Sequence, residues 1–399
     1  MRELTDADLD AQAALVRDAF LSVDDVGAMR ERLVLQLAGT RTVGVFDGDE
    51  LVGVTSVGDR EVTLPEGLVV PFAAVTYVAV AADHRRQGVL TKLMRAQLEA
   101  VHASGPPVAA LWASEAAIYQ RFGFGPASNV AGYEVAAQAA FRPGVDLGAD
   151  RVREVPGERA IDLVRPLYER YAAHRAGALS RDDAQWSEWV TDLPSLRRGR
   201  SALRWAVHPQ GYVLFRHKPG YDERGPNGSI DVEDLVALTP QAHAALLRYV
   251  LDTDLVRWVS YDGAPDDPLP LLLANSREAV TKIRDALYVR LVDVPRALAQ
   301  RRYRAAVDVV IEVVDDFCPW NAGRYRLVAD EKGDATVTRT GDDADLTAGA
   351  VDLGAAYLGG TRLSRLADAG RVVERTPGAV SALTSALLSD REPRTLEVF

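Results

Sequence analysis

Apolar residues recur along this chain with two different periods, and the switches between them mark its elements. Leu9, Ala13, Leu15, Val16 and Phe20 fall near helical spacing behind Thr5, a candidate N-cap, which predicts a first helix over 5–20. Strand-like stretches follow at 41–46 and 51–57, separated by the hairpin signal Asp47-Gly48-Asp49, and a third runs from Val70 to Val80. Residues 88–103 repeat Leu90, Leu93, Met94, Leu98 and Val101 on one helical face, and Val108 to Trp112 reads as a buried strand. A short helix comes next. This order predicts a mixed α/β layer whose two central strands splay apart around a ligand.

Gly144-Val145-Asp146-Leu147-Gly148-Ala149-Asp150 breaks the pattern and reads as a linker, so a first domain is expected over 1–145. A second α/β unit is expected over 146–285. Its helices are predicted near 158–176 and 182–192, its strands near 202–207, 211–217, 229–238 and 255–260, and a helix from Pro240 to Asp252. The order echoes the first unit. The turn before its main helix, Leu238-Thr239-Pro240-Gln241-Ala242-His243, carries a cap residue and a first-turn proline but neither glycine nor an arginine pair. It is read as a copy of the first fold without a ligand site. The third segment, 286–399, begins a helix at Val294-Pro295-Arg296, then shows strand patterns at 307–314, 324–330 and 334–339 and helices near 352–358 and 377–388. Asp315-Asp316 and Asp342-Asp343 are read there as turn carboxylates rather than metal ligands, since no histidine follows His243.

Composition narrows the function classes. With 48% apolar and 26% charged residues in 399, the chain is of ordinary globular make-up and long enough for two to three cores. No run reaches the roughly 20 apolar residues of a membrane span, and the acidic start Met1-Arg2-Glu3-Leu4-Thr5-Asp6 does not read as a secretory signal, so a cytoplasmic protein is expected. A single cysteine, Cys318, excludes an internal disulfide and a multi-cysteine metal cluster. The formal charge of −11 argues against broad nucleic-acid binding, which neutralises phosphates with Lys and Arg, and suits a cationic substrate better.

The segment with most chemistry is Val78-Ala79-Val80-Ala81-Ala82-Asp83-His84-Arg85-Arg86-Gln87-Gly88-Val89-Leu90-Thr91, a strand passing through a polar turn into a helix. Two arginines at a helix start oppose the positive end of the macrodipole by about a few tenths of a kcal/mol each unless an anion is bound there. Gly88 would let a phosphate oxygen reach the first-turn amides. The same residues also fit a solvated helix start with a packing glycine. Farther on, Ser114 is a candidate cap for the short helix carrying Tyr119. A phenol there, with an ordinary pKa of about 10, is protonated at neutral pH and competent as an acid. Equally, its ring could simply fill the core beside Phe122.

Arg85-x-x-Gly88-x-Leu90 resembles the pyrophosphate-binding signature of the GCN5-related N-acetyltransferases, with Leu90 in place of the usual small residue. The chain as a whole resembles the enhanced intracellular survival (Eis) family of N-acetyltransferases. That resemblance is carried by Tyr77-Val78-Ala79-Val80, by His84 to Leu90, by Ala109-Ala110-Leu111-Trp112-Ala113-Ser114-Glu115 and by Ile118 to Pro126. His208-Pro209-Gln210-Gly211-Tyr212, Asp267-Pro268-Leu269-Pro270, Tyr357-Leu358-Gly359-Gly360 and the terminal Phe399 agree as well.

The resemblance implies an α/β (α+β) chain of two fused acetyltransferase folds, the second degenerate, followed by a sterol-carrier-protein-like α/β domain. It implies acetyl-CoA as cosubstrate and no metal. Tyr119 matches the general acid, and the α-carboxylate of Phe399 matches the general base. Val78, Ala79 and Val80 match the strand that pairs with the pantetheine arm. Arg86, Gln87, Gly88, Val89, Leu90 and Thr91 match the phosphate loop, with added charge from Arg85, and Ser114 with Glu115 match a further cofactor contact. Implied acceptors are primary amines of aminoglycosides and related polyamines or lysine side chains, attacked directly in a ternary complex, and the implied assembly is a homohexamer. Without that resemblance Phe399 would be read as a frayed tail. Two departures stand out. Val398 precedes the final Phe where an acid is common, with Glu397 one place earlier, and the 20–36 region matches poorly, its Asp24 and Asp25 fitting either an acidic mouth or a solvated loop. The alternative function is a hydrophobic-ligand or lipid carrier on an inactive acetyltransferase scaffold.

Overall fold

In the computed structural model, which describes residues 1–399 apart from the side chains of Ser104, Ser195 and Leu196, the chain forms two compact units. One comprises Met1–Ser128 together with Ala286–Phe399, the other Asn129–Asp285. Among the described residues no helix is long and apolar enough to cross a membrane.

The first unit is built on a seven-stranded sheet in the order Arg2–Glu3, Arg41–Asp47, Glu50–Thr63, Val69–Val80, Val108–Trp112, Leu287–Leu291, Gly125–Pro126. Helices Leu9–Ala19 and Val26–Gln36 pack on it around Ala13, Val16, Met29 and Leu33. The second of these helices was not read from sequence, because its weakly amphipathic run Val26 to Gln36 buries only Met29 and Leu33. Of the stripe its periodicity predicts, helix Val89–Ser104 leaves Leu90 at its start half-buried and buries Leu93, Met94, Leu98 and Val101. Each such side chain contributes about 1.5–3 kcal/mol by leaving water. Gly105, at φ +130, ends the helix and donates its N–H to Val101 at 3.1 Å.

The boundary expected at 145 lies inside the second unit. Asn129–Ala136 already pairs with both Val256–Gly263 and Ala279–Asp285, so the chain enters the second sheet before the 144–150 linker. Leu287–Leu291, in turn, lies between Val108–Trp112 and Gly125–Pro126 in the first sheet. Each sheet thus takes its sixth strand from the far end of the intervening sequence. Periodicity cannot reveal this, since a strand's alternation says that a face is buried and not which strand lies beside it. The second unit has its own seven-stranded order: Ala279–Asp285, Asn129–Ala136, Val256–Gly263, Gly228–Ala237, Gly211–Lys218, Arg204–His208, Arg153–Val155. This is the order of the first sheet read in reverse.

The segment after Leu291 forms helix Val294–Gln300 and a five-stranded sheet ordered Ala335–Arg339, Gly323–Ala329, Val307–Val314, Leu346–Gly349, Val372–Glu374. Two of the contacts that join it to the first sheet are made at glycines. Helix Ala350–Ala356 lies so close to Gly125 that an added Cβ would overlap the Val351 carbonyl and sit 2.6 Å from the Ala355 nitrogen. The fully buried Arg290 guanidinium occupies the space that a Cβ at Gly123 would need, and donates through Nη2 to Asp315 Oδ2 at 2.5 Å. Asp315 also accepts from the Cys318 amide at 3.0 Å and from Asn321 Nδ2 at 3.0 Å. Asp315 thus holds the turn as expected from sequence, through the Cys318 amide, and is in addition a buried counter-ion, which the sequence did not suggest. Its partner is 25 residues away, beyond the reach of a local reading.

The Gly125 contact gives a stability test. Gly125→Ala is expected to lower unfolding free energy by about 1–3 kcal/mol, because two backbone atoms block the new methyl group. A urea midpoint equal to that of the parent, at unchanged slope, would refute the close packing.

Candidate active site

The site starts from a failure of two strands to keep pairing. Val69–Val80 and Val108–Trp112 run parallel, yet their register holds only for Ala73 with Ala109 and Ala74 with Ala110. Beyond Ala74 no strand pairs with that edge, so Val78, Ala79 and Val80 face a gap with backbone groups open on one side. The cause lies on the opposite edge. Val54 pairs with Ala79 and Ser56 with Thr76, so Tyr77 and Val78 together oppose Thr55 alone. This β-bulge bends the strand. Tyr77 takes φ +46, an unusual value for a residue with a side chain. Its hydroxyl donates to Gln36 Oε1, and its ring meets Phe20 edge-on at 6.3 Å. Thr55 hydrogen-bonds Gln97 Oε1 at 2.9 Å, while Gln97 Nε2 donates to the Ser56 carbonyl at 3.2 Å. Sequence reading missed the bulge and Gln97. The only hint of the latter was one polar residue on an otherwise apolar helical stripe.

The turn after the strand places Arg86 at φ +63 and Gly88 at φ +83, with Gly88 at the N-cap of helix Val89–Ser104. No protein atom lies within 4 Å of where a Gly88 Cβ would be. The glycine is therefore required by its left-handed backbone and not by packing, and the space before it is free. Lys92 N–H, bonded to the Gly88 carbonyl at 2.9 Å, is the first intrahelical donor, so the amides of Val89, Leu90 and Thr91 have no helical acceptor. Arg85 and Arg86 are exposed and, among the described residues, make no ion pair. The turn is braced by Gln87 Nε2 donating to the Asp83 carbonyl at 2.9 Å and by His84 between Asp83 (2.9 Å) and Asp47 (3.3 Å). The hydrogen bond to Asp83, then that to Asp47, raises the His84 pKa above its ordinary value. The second unit differs here: Thr239 caps helix Pro240–Leu251 by accepting the Ala242 N–H at 3.1 Å, and Pro240 has no N–H to offer.

Tyr119 lies in the short helix Ala116–Gln120, only 6% exposed, with its ring edge-on to Phe124 at 6.2 Å. It shares one apolar cluster with Met94, Leu98, Phe122 and Tyr288, against which Val78 and Leu90 also pack. Among the described residues its hydroxyl has no hydrogen-bond partner. Burial, and secondarily the Glu115 charge, push its pKa up to about 12. Ser114 does not cap this helix. The N-cap position is Glu115, whose side chain makes no capping bond, and both residues are exposed. The cap falls one residue late because Glu115 still has extended backbone, at φ −133 and ψ 111.

The remaining candidates separate. Ala79 points into the cluster under the first two helices, and Val80 packs with Val45, Val52, Val89 and Leu93, so only the backbone of these two faces the gap. Asp24 binds Arg32 at 2.6 Å, and Asp25 caps helix Val26–Gln36 by accepting the Ala28 N–H at 2.8 Å. Neither is a free carboxylate at the mouth. The Phe399 ring lies on Phe72, 5.8 Å between centroids, one residue before the last stretch of parallel pairing begins at Ala73.

Residues 1–127 match an acetyltransferase (GNAT) domain, residues 177–291 a second acetyltransferase (GNAT) domain, and residues 294–395 a sterol carrier protein domain. Two acetyltransferase folds, one with an open turn at Gly88 beside a splayed strand, go with an N-acetyltransferase, and the GNAT fold implies acetyl-CoA as its acyl donor. Over 384 residues it is 43% identical to an uncharacterised N-acetyltransferase of Streptomyces avermitilis, covering 94% of this chain and 93% of that protein. It is 34% identical over 357 residues to N-acetyltransferase Eis of Mycobacterium tuberculosis, covering 87% and 85%. The crystal structure of Eis1 from Mycobacterium abscessus superposes with a TM-score of 0.83 at 33% identity, over 100% of this chain and 99% of that one. The chain belongs to the Eis family of N-acetyltransferases.

Because the folded-state pKa of Tyr119 lies above the ordinary phenol value, its neutral form contributes stability that is full below pH 10 and is lost as pH rises toward 12. In a protein carrying ring-labelled tyrosine, the NMR signal that vanishes in Tyr119→Phe should hold its shift through pH 10 and move with a midpoint near 12. A midpoint near the ordinary value of about 10 would overturn the buried assignment.

Proposed function

We propose that this chain transfers the acetyl group of acetyl-CoA to a primary amine, of an aminoglycoside-like polyamine or a lysine side chain, by direct attack in a ternary complex. The observation that carries the reading is the buried, unpartnered Tyr119 phenol, packed in one cluster with Val78 of the open strand and Leu90 of the open loop. The donor's chemistry is that of a thioester, which supplies an activated acetyl carbon. The residues present fit such a donor. The free amides at Val89, Leu90 and Thr91 and the unpaired Arg85 and Arg86 suit a diphosphate, with Gln87 and Gly88 holding the turn in shape. The open edge at Val78, Ala79 and Val80 suits an extended amide-bearing arm. Ser114 and Glu115 stand at the exposed end of the second strand and complete the proposed contact set.

In this reading Tyr119 keeps its proton across the working pH range and delivers it to the departing thiolate sulfur. The C-terminal carboxylate of Phe399 orients the acceptor and takes its proton. With an ordinary pKa of about 3.3–3.7, far below that of an alkylammonium, it does so through ordered water rather than by direct transfer. The N–C bond forms as the C–S bond breaks; the amine nitrogen gives up one proton through water to the carboxylate, and the departing sulfur gains one from the Tyr119 phenol. The second acetyltransferase fold is proposed to bind no donor, since Thr239 and Pro240 fill the role that Gly88 leaves vacant in the first. A homohexamer in the cytoplasm completes the proposal.

Tyr119→Phe is expected to lower kcat about a hundredfold or more while sparing acetyl-CoA affinity, measured by thiol release over a panel of amines that includes kanamycin, tobramycin and lysine peptides. Unchanged turnover would remove Tyr119 from the reaction. Arg86→Ala should raise the KM for acetyl-CoA about tenfold, less at high salt, with little change in kcat. Equal KM values across ionic strengths would argue against a diphosphate at this helix.

A further inference from the structure

The C-terminal tail meets the first sheet at two points that are themselves neighbours. Arg60 on strand Glu50–Thr63 and Phe72 on strand Val69–Val80 are directly opposed across the antiparallel pair, which puts their side chains on one face. Glu397 and Phe399 are two residues apart, the spacing at which an extended chain presents side chains to the same side. Glu397 Oε2 accepts from Arg60 Nη2 at 2.6 Å, with the two side chains only 8% and 10% exposed. The Phe399 ring tilts on Phe72 at 5.8 Å and 59°. Val398, between them, is 65% exposed. The approach is anchored as well, for Arg394 and Thr395 are buried.

We propose that Arg60 is a positioning residue for the reaction. Its ion pair with Glu397, acting with the Phe72 ring under Phe399, fixes where the chain's terminal carboxylate lies. This rests on the reading of that carboxylate as the base. It also accounts for the displaced acid of the tail: position 398 points to solvent, whereas a carboxylate at 397 reaches Arg60. Glu397 is thereby engaged as a structural anion and is not a cation-binding group for the acceptor. The ion pair and the ring contact together restrain both the position and the direction of the tail.

The test uses the whole 399-residue chain with nothing added after Phe399 and reads the tail and the turnover separately. In Arg60→Met, carboxypeptidase should release Phe399 about tenfold faster, because release follows the population of the undocked tail. Its kcat should fall about a hundredfold with the KM for acetyl-CoA within twofold. Arg60→Lys should reverse part of both effects, and Arg60→Glu combined with Glu397→Arg should release Phe399 more slowly and turn over faster than either single variant. If Arg60→Met does not fold, Glu397→Gln carries the same expectations. Parental release and parental kcat in these variants would overturn the proposal, as would a fall in kcat with Phe399 release unchanged. Extending the chain by one glycine after Phe399 separates the two ideas: full activity in that variant defeats the terminal base, while the release rates still decide whether Arg60 holds the tail.

Discussion

The site depends on one bulge. Two residues, Tyr77 and Val78, stand opposite Thr55, and the strand that carries them turns away from its parallel neighbour after Ala74. Continued pairing would fill the gap with interstrand hydrogen bonds and leave no edge for a ligand. The bulge is held by side chains on both faces of the sheet: Tyr77 reaches Gln36 and Phe20 on one side, and Gln97 reaches Thr55 and Ser56 on the other. A positive φ at a tyrosine costs about 1–3 kcal/mol, which these surroundings offset.

Around that gap the chain sets three different devices. The loop at Gly88 is polar and open, with amides that no helical carbonyl satisfies and arginines that, among the described residues, no carboxylate neutralises. Tyr119 is apolar in its surroundings and keeps its proton because burial disfavours the phenolate. The tail is a clamp of one ion pair and one ring contact on adjacent strands. The second unit clarifies what the first has kept. It repeats the strand order and has its own bulge, where Glu233 is the extra residue between Phe215 and Leu214, yet its helix start is closed by Thr239 and Pro240. The fold's geometry survives in both copies, whereas the open helix start is found only in the first.

The C-terminal segment is joined to the first sheet through buried charge as well as apolar packing. Arg290, on a strand inserted into that sheet, finds its carboxylate in Asp315, and the same carboxylate organises Cys318 and Asn321. Removing one partner from such a buried pair costs about 3–5 kcal/mol, because the other charge is left uncompensated. Gly123 and Gly125 make room for Arg290 and for helix Ala350–Ala356, so this glycine pair, four to six residues after Tyr119, ties the short helix to the third segment.

What the sequence alone determined is local. The stripe Leu93, Met94, Leu98, Val101, the turn at Gly88, the hairpin at Asp47-Gly48-Asp49 and the Thr239-Pro240 cap all express preferences of neighbouring residues, and each appears where its pattern places it. Similarity of separated motifs supplied the family and, with it, Tyr119 and Phe399 as residues to look for. Tertiary structure decided the rest. The insertion of Leu287–Leu291 into the first sheet, the bulge at Tyr77, the Arg290–Asp315 pair and the Arg60–Glu397 clamp join residues up to 337 positions apart. A single sequence carries no record of such pairings. Their stability comes from burial and neutralisation that exist only once both partners have been brought together, so no run of neighbouring residues can announce them.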